Sequence, residues 1–212
     1  FKRQRLPGCQ TSPININHKP IIQQYLFQQS HGLNMSYVDL NSIIDIRQSS
    51  ASNILAPSSS KSVLEPIIGP SGDSGAVLSS DPDVDAQILI SVAFQSAVKV
   101  FSIAFKADTN SPQNASGPAK VHVFVDRPSL DFSEASSTTP VQTLNLSEQQ
   151  LSGNPIPLRF VKFQNVHSIQ LFVEDNHDQE DVTFINRIVF QGAPLQGMNM
   201  GDFKDQNADH DH

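Results

Sequence analysis

Apolar residues recur at every second position through much of the stretch from residue 87 to residue 192. Ile88, Ile90, Val92 and Phe94 alternate with Leu89, Ser91 and Ala93, predicting a strand apolar on one face and partly so on the other. Residues 98–105 read as a second strand, with Phe101, Ile103 and Phe105 as core contacts. Val121, Val123 and Val125 then face one way and leave His122 and Phe124 on the other. Residues 141–146, 158–163, 167–173 and 182–190 complete a set of about seven or eight strands. Within the last two, Ile169, Leu171 and Val173, and Val182, Phe184, Ile188 and Phe190, occupy alternating positions. Short alternating strands with turn signals and no strong helix predict an all-β antiparallel sandwich or jelly roll, its rigid core in residues 87–192.

Outside that stretch the pattern weakens. Residues 47–86 are rich in Ser, Pro, Gly and Asp and hold two short apolar islands, Val63-Leu64 and Ile67-Ile68. They read as a long surface loop with patches that tuck onto the domain. Residues 41–46 add a helical turn, and residues 107–119 form a turn-rich connection. Residues 20–27 are consistent with two helical turns that place Ile21, Ile22, Tyr25 and Leu26 on one side, with Pro20 tolerated at the first position.

Composition narrows the function classes. With 212 residues, 38% of them hydrophobic, the chain holds one β-rich domain plus appendages, or at most two small domains. Thirteen Phe and no Trp make Phe the main bulky core residue. A net charge of -7 argues against a nucleic-acid partner, and the short basic cluster of Lys2, Arg3 and Arg5 does not overturn that. Cys9, the single cysteine, excludes an internal disulfide framework and a Cys-x-x-Cys redox pair, which fits a reducing compartment. No apolar run approaches the roughly 20 residues that span a bilayer, so no membrane association is expected. A start at Phe1 with no signal peptide suggests a fragment or a processed chain.

Two phrases near the C-terminal end, Leu158-Arg-Phe-Val-Lys-Phe-Gln-Asn-Val166 and Gly197-Met-Asn-Met-Gly-Asp-Phe-Lys204, resemble the end of the PITH domain, the proteasome-interacting module of thioredoxin-like proteins. Tyr37-Val38-Asp39-Leu40 resembles its start, so the likeness covers residues 37–204. The resemblance implies a galactose-binding-like jelly roll with long loops and flexible ends. It implies a non-catalytic docking module that binds subunits of the proteasome regulatory particle and brings a thioredoxin-like protein to it. Residues 1–36 would then be the remnant of a preceding thioredoxin-like domain or a linker, and residues 205–212 a flexible acidic tail containing histidines. The chain departs from its relatives in residues 47–86, where they carry several cysteines and a more acidic segment. Metal or redox behaviour tied to those cysteines is not carried over.

Within this reading Met198 and Met200 supply adaptable apolar contacts, Phe203 an aromatic anchor, and Asp202 and Lys204 charge, for the partner. His210 and His212 alternate with Asp209 and Asp211 and would reach a zinc ion held by the partner, with the proteasome's zinc-dependent deubiquitinase as the candidate. The chain is expected to be monomeric, to need no cofactor, and to work in the cytoplasm and also the nucleus.

The remaining chemistry is sparse. No Gly-x-Ser-x-Gly elbow is present, and Cys9 has no partner. His122 and His167 fall in or beside strands, where surface or hydrogen-bonding roles prevail over catalytic ones. Residues 174–181, Glu-Asp-Asn-His-Asp-Gln-Glu-Asp, form an acidic hairpin loop without the ligand spacing of an EF-hand, and read as solvated. No catalytic residue is assigned, and any thioredoxin activity would reside in a domain absent from this chain. The rival reading is a stand-alone jelly roll that binds glycan or peptide. Its aromatic platform is scarce, with no Trp and with Tyr25 and Tyr37 both outside the strands.

Overall fold

The structure, a computed structural model, describes residues 38–55, 60–72, 75–108 and 111–195. These belong to a compact unit spanning Ser36–His212, distinct from Phe1–Met35. The turns predicted for residues 20–27 lie outside the described residues.

Among the described residues eleven strands form two sheets. In chain order they are β1 (Val38–Asp39), β2 (Ser50–Ser52), β3 (Leu78–Ser79), β4 (Ile88–Lys106), β5 (Ala115–Ser116), β6 (Pro118–Val125), β7 (Gln142–Asn145), β8 (Ile156–Pro157), β9 (Val166–Asn176), β10 (Val182–Ile185) and β11 (Arg187–Pro194). The large sheet runs β1-β11-β4-β9-β6-β7, with β2 and β8 also paired to β4, and the small one runs β3-β10-β5. All pairings are antiparallel except β10 with β5. Two helices, α1 (Ser60–Ile68) and α2 (Phe132–Ser137), and three 3-10 turns lie between strands.

Alternation places Ile88, Ile90, Val92 and Phe94 of β4 beside Leu171 and Val173 of β9, Val121 and Val123 of β6, and Ile188 and Phe190 of β11, in one buried cluster. Phe94 meets Phe190 edge to face, with centroids 5.8 Å apart, a geometry that adds to the roughly 1.5–3 kcal/mol of burying each ring. A smaller cluster on other strand positions, Leu89, Phe124 and Phe172, is joined by Leu130 and Ala135 of the α2 region. This is why β4 is apolar on both of its faces near Leu89.

The segment read as two strands, 88–94 and 98–105, is one strand. β4 pairs with β9 on one side over Ile88–Ala93 and again at Val98, and with β11 on its other side over Val98–Lys106, and exposed Gln95 and Ser96 lie where the ladder is interrupted. A bulge opposite Gln191 and Gly192 then leaves Phe101 unmatched between Val100 and Ser102. It shifts the buried phase from Val98 and Val100 to Ile103 and Phe105, so Phe101 is a half-buried residue rather than a full core contact. Gly192 is required there, because a Cβ would lie 1.9 Å from the Lys99 carbonyl oxygen.

Residues 47–86 are not one loop. Val63, Leu64, Ile67 and Ile68 are spaced as one helical face, and α1 buries Leu64, Ile67 and Ile68 completely in the core. Residues 182–190 are likewise not one strand. At Asn186 the chain passes from the small sheet to the large, the Asn186 side chain donating to the Ala76 carbonyl and accepting from the Asp108 amide. Every residue from Val182 to Ile188 is buried, which hides the alternation there.

Candidate functional site

Two of the segments that carry the sequence resemblance, at its start and at Leu158–Val166, have opposite structural characters. At the start, Asp39 caps the 3-10 turn Leu40–Ile43 by accepting from the Asn41 amide at 2.8 Å. That turn delivers Asn41 into the core, where it is 0% exposed. Its amide nitrogen donates to the Ile68 and Ile188 carbonyls at 2.9 and 2.7 Å, and its oxygen accepts from the Phe190 amide at 2.8 Å. One side chain therefore joins the C-terminal end of α1 to β11. Arg187 donates to the Pro66 carbonyl of the same helix end, where a cation complements the helix dipole.

Residues 158–163, predicted as a strand, form a corner instead. β8 ends at Pro157, the Leu158 amide donates to the Phe101 carbonyl, and a 3-10 turn runs over Phe160–Lys162. Leu158 and Phe163 point inward, the latter 0% exposed and accepting from the Val100 amide through its carbonyl. Between them Phe160 is 45% and Val161 83% exposed, flanked by exposed Arg159 and Lys162. Phe160 stacks on Phe101 at 5.5 Å with the rings 11° apart. The result is an apolar platform with a basic rim. Its sequence signal was available: adjacent Phe160 and Val161 cannot both face a core from a strand, and basic residues bracket them.

The polar clusters are organised as structure. His122 on β6 reaches Thr143 Oγ1 through Nδ1 at 3.0 Å and Glu174 through Nε2 at 2.6 Å, and its ring lies over Phe172. Lys120 Nζ is 2.7 Å from the same Glu174 carboxylate oxygen. Glu174 is held below the ordinary carboxylate range by the Lys120 hydrogen bond first and the His122 hydrogen bond second, against a smaller opposing effect of burial. Both imidazole nitrogens are engaged, so His122 serves as a cross-strand tie. His167 is exposed, 3.9 Å from Asp126. In the acidic hairpin, buried Asn176 donates to the Glu180 carbonyl and accepts from the Glu180 amide, while Asp178 accepts from Ser116. Among the described residues no group of three His, Cys, Asp or Glu side chains is placed to hold a metal ion.

An open groove of about 740 Å³ lies between the first 3-10 turn, α1 and the Gln95 bend, lined by Ser42, Asp45, Arg47, Glu65 and Gln95 among others. Asp45 sits below its ordinary pKa, chiefly because the Gln48 side chain donates to it, with the Arg47 and Gln48 amides adding to that. The sequence-predicted site residues Met198, Met200, Asp202, Phe203, Lys204, His210 and His212 lie outside the described residues. No helix among the described residues is long and apolar enough to cross a membrane.

Comparison with known proteins bears on both fold and family. Two solved domains share the architecture: the family 32 carbohydrate-binding module of Clostridium perfringens NanJ in complex with galactose, and an F5/8 type C domain from Bacteroides fragilis. The first superposes with a TM-score of 0.53 at 14% identity over 74% of this chain and 99% of that one. The second gives 0.51 at 12% identity over 77% of this chain and 100% of that one. At such identities the likeness concerns fold alone, and the fold is a galactose-binding-like jelly roll. In sequence, thioredoxin-like protein 1 of Schizosaccharomyces pombe is 35% identical over 134 residues, 60% of this chain and 44% of that protein. A PITH domain-containing protein of Caenorhabditis elegans is 28% identical over 112 residues, 53% of this chain and 51% of that protein. The chain thus spans about half the length of the curated relatives it matches. The model of one family, the PITH domain, matches residues 30–209, from before the Asp39 cap to past the Arg159–Lys162 corner, and the chain belongs to that family.

Proposed function

We propose that this chain is a non-catalytic docking module that binds the proteasome regulatory particle and brings a thioredoxin-like protein to it. Its membership of the PITH family carries the reading. Similarity to a thioredoxin-like protein supports the second half. The surface chemistry agrees: His122 is tied at both nitrogens, and the exposed features are a basic-rimmed apolar corner and an acidic hairpin. Cys9 is the single cysteine, so the chain by itself has no dithiol with which to reduce a disulfide.

The segment from Met198 to Lys204 provides apolar and charged contacts for the partner, and His210 or His212 reaches a zinc ion there. Imidazole ligation of an occupied catalytic zinc displaces its bound water and inhibits the partner's hydrolysis. The compartment is the cytoplasm, and the nucleus as well. The test is retention of purified regulatory particle by the tagged chain, with immobilised galactose as the rival matrix. Retention of the particle, weakened by truncation after Phe203, supports the proposal. Deubiquitination restored by replacing His210 and His212 with Ala supports the zinc contact. Retention on galactose with none of the particle would replace the docking reading with the glycan one.

A further inference from the structure

The open groove beside α1 sets apolar side chains next to carboxylates that the fold leaves largely unused. Ile44, Asp45, Ile46 and Arg47 line it from the first 3-10 turn, and Ser62, Glu65 and Pro70 from α1 and its exit. Its volume of about 740 Å³ falls within the roughly 300–1,000 Å³ typical of ligand clefts. We propose that this groove takes the side chain of a lysine carried by an extended segment of a partner protein. The aliphatic stem lies against Ile46 and Pro70, and the ammonium meets the Asp45 and Glu65 carboxylates.

Three features favour this occupant. First, Glu65 stands on the exposed face of α1, and among the described residues no cation pairs with its carboxylate. Glu134 and Glu174, by contrast, are paired by Arg127 and Lys120. Second, Asp45 is only partly engaged. Its Oδ2 accepts from Gln48 Nε2 at 2.8 Å and its Oδ1 from the Arg47 amide at 2.9 Å, while a carboxylate offers about four acceptor sites. The Arg47 guanidinium stands 4.0 Å from it with a side chain 91% exposed, a pairing too loose to occupy it. Third, Gln95 Nε2 donates to the Ile44 carbonyl at 3.3 Å, which leaves Oε1 as a further acceptor on the groove. Lysine fits this set because its stem covers apolar surface while its ammonium donates up to three hydrogen bonds. A basic partner also complements a chain of net charge -7. The groove is open to solvent, so it admits a side chain that projects from a larger molecule. This inference goes beyond the docking reading and holds whichever protein carries the lysine.

Titration of the isotope-labelled full chain with the tripeptide acetyl-Ala-Lys-Ala-amide, followed by backbone amide NMR shifts, tests this. A control peptide with norleucine in place of lysine keeps the stem and loses the ammonium. The expected result is saturable shifts at Ser42–Arg47, Glu65 and Gln95 with the lysine peptide, and much smaller ones with norleucine. Glu65→Gln should weaken binding about two- to fivefold, the range of an exposed ion pair, and high salt should also weaken it. Arg47→Gln should tighten binding, since it removes the cation that lines the groove. Equal shifts with both peptides would overturn the proposal, because the apolar lining alone would then account for them. So would shifts that never saturate and are as large at residues 174–181, the mark of general attraction to acidic surface. Absence of shifts with the lysine peptide, or an affinity that Glu65→Gln leaves unchanged in a folded variant, would sink it as well.

Discussion

At Asn41 an amide side chain is sealed in the core, while at Phe160 and Val161 apolar side chains stand in water. The first is stable because its burial is fully compensated: two carbonyls and one amide meet it at 2.7 to 2.9 Å. The second has no internal compensation, since Phe160 touches Phe101 on one side and solvent on the other. Two segments that together suggest the family from sequence therefore serve it differently. The Asp39–Asn41 turn specifies how the domain closes, and the Arg159–Lys162 corner specifies what the closed domain presents.

That division is breakable by mutation. The largest effect should come from neither place but from the core they share: Phe190→Ala should cost about 3 to 5 kcal/mol, measured by urea unfolding, as truncation of a fully buried ring. Asn41→Leu follows, at about 2 to 4 kcal/mol, because it strands the Ile68 and Ile188 carbonyls and the Phe190 amide. Asn41→Asp should be no better, since a carboxylate cannot donate to those carbonyls. A loss under about 0.5 kcal/mol for Asn41→Leu would show that the amide is not what joins α1 to β11.

Smaller effects sharpen the surface side. Glu174 is half-buried beside Lys120 and His122, and its carboxyl is held below the ordinary range. A depressed acid stabilises the fold above its unfolded pKa, and the contribution is lost as pH falls through the lower folded value. Glu174→Gln should therefore cost under about 1 kcal/mol at neutral pH, given solvent screening. The gap from the parent should close as the pH drops below the ordinary carboxylate range. A gap that widens on acidification would contradict the Lys120 pairing. The smallest stability change is expected for Val161→Ser, within about 0.5 kcal/mol, yet this change should weaken whatever covers the corner. Substantial unfolding by Val161→Ser would move the corner into the structural class with Asn41.

Much of the fold was readable from local pattern. Val121, Val123 and Val125, or Ile169, Leu171 and Val173, alternate because successive strand side chains point to opposite faces, and that holds wherever the strand ends up. Helix α1 was less readable: Val63, Leu64, Ile67 and Ile68 keep helical spacing, but Pro66 and the surrounding Ser and Pro residues make the stretch look like a loop. So was the site. In Leu158 to Phe163 a regular strand would put Leu158 and Phe163, five positions apart, on opposite faces, and only the turn at Phe160–Lys162 brings both inward and leaves Phe160 and Val161 in water.

By itself the sequence determined the β class and the family. Alternation is a property of the chain's own geometry, and the family phrases are strings of residues. Tertiary structure decided that β4 runs as one strand between β9 and β11, that a bulge turns Phe101 out of the core, and that Asn41 goes in. Each of these depends on hydrogen bonds between residues far apart in sequence, Asn41 with Ile188 being separated by 147 positions. No local pattern encodes which distant backbone group will be there to receive a side chain.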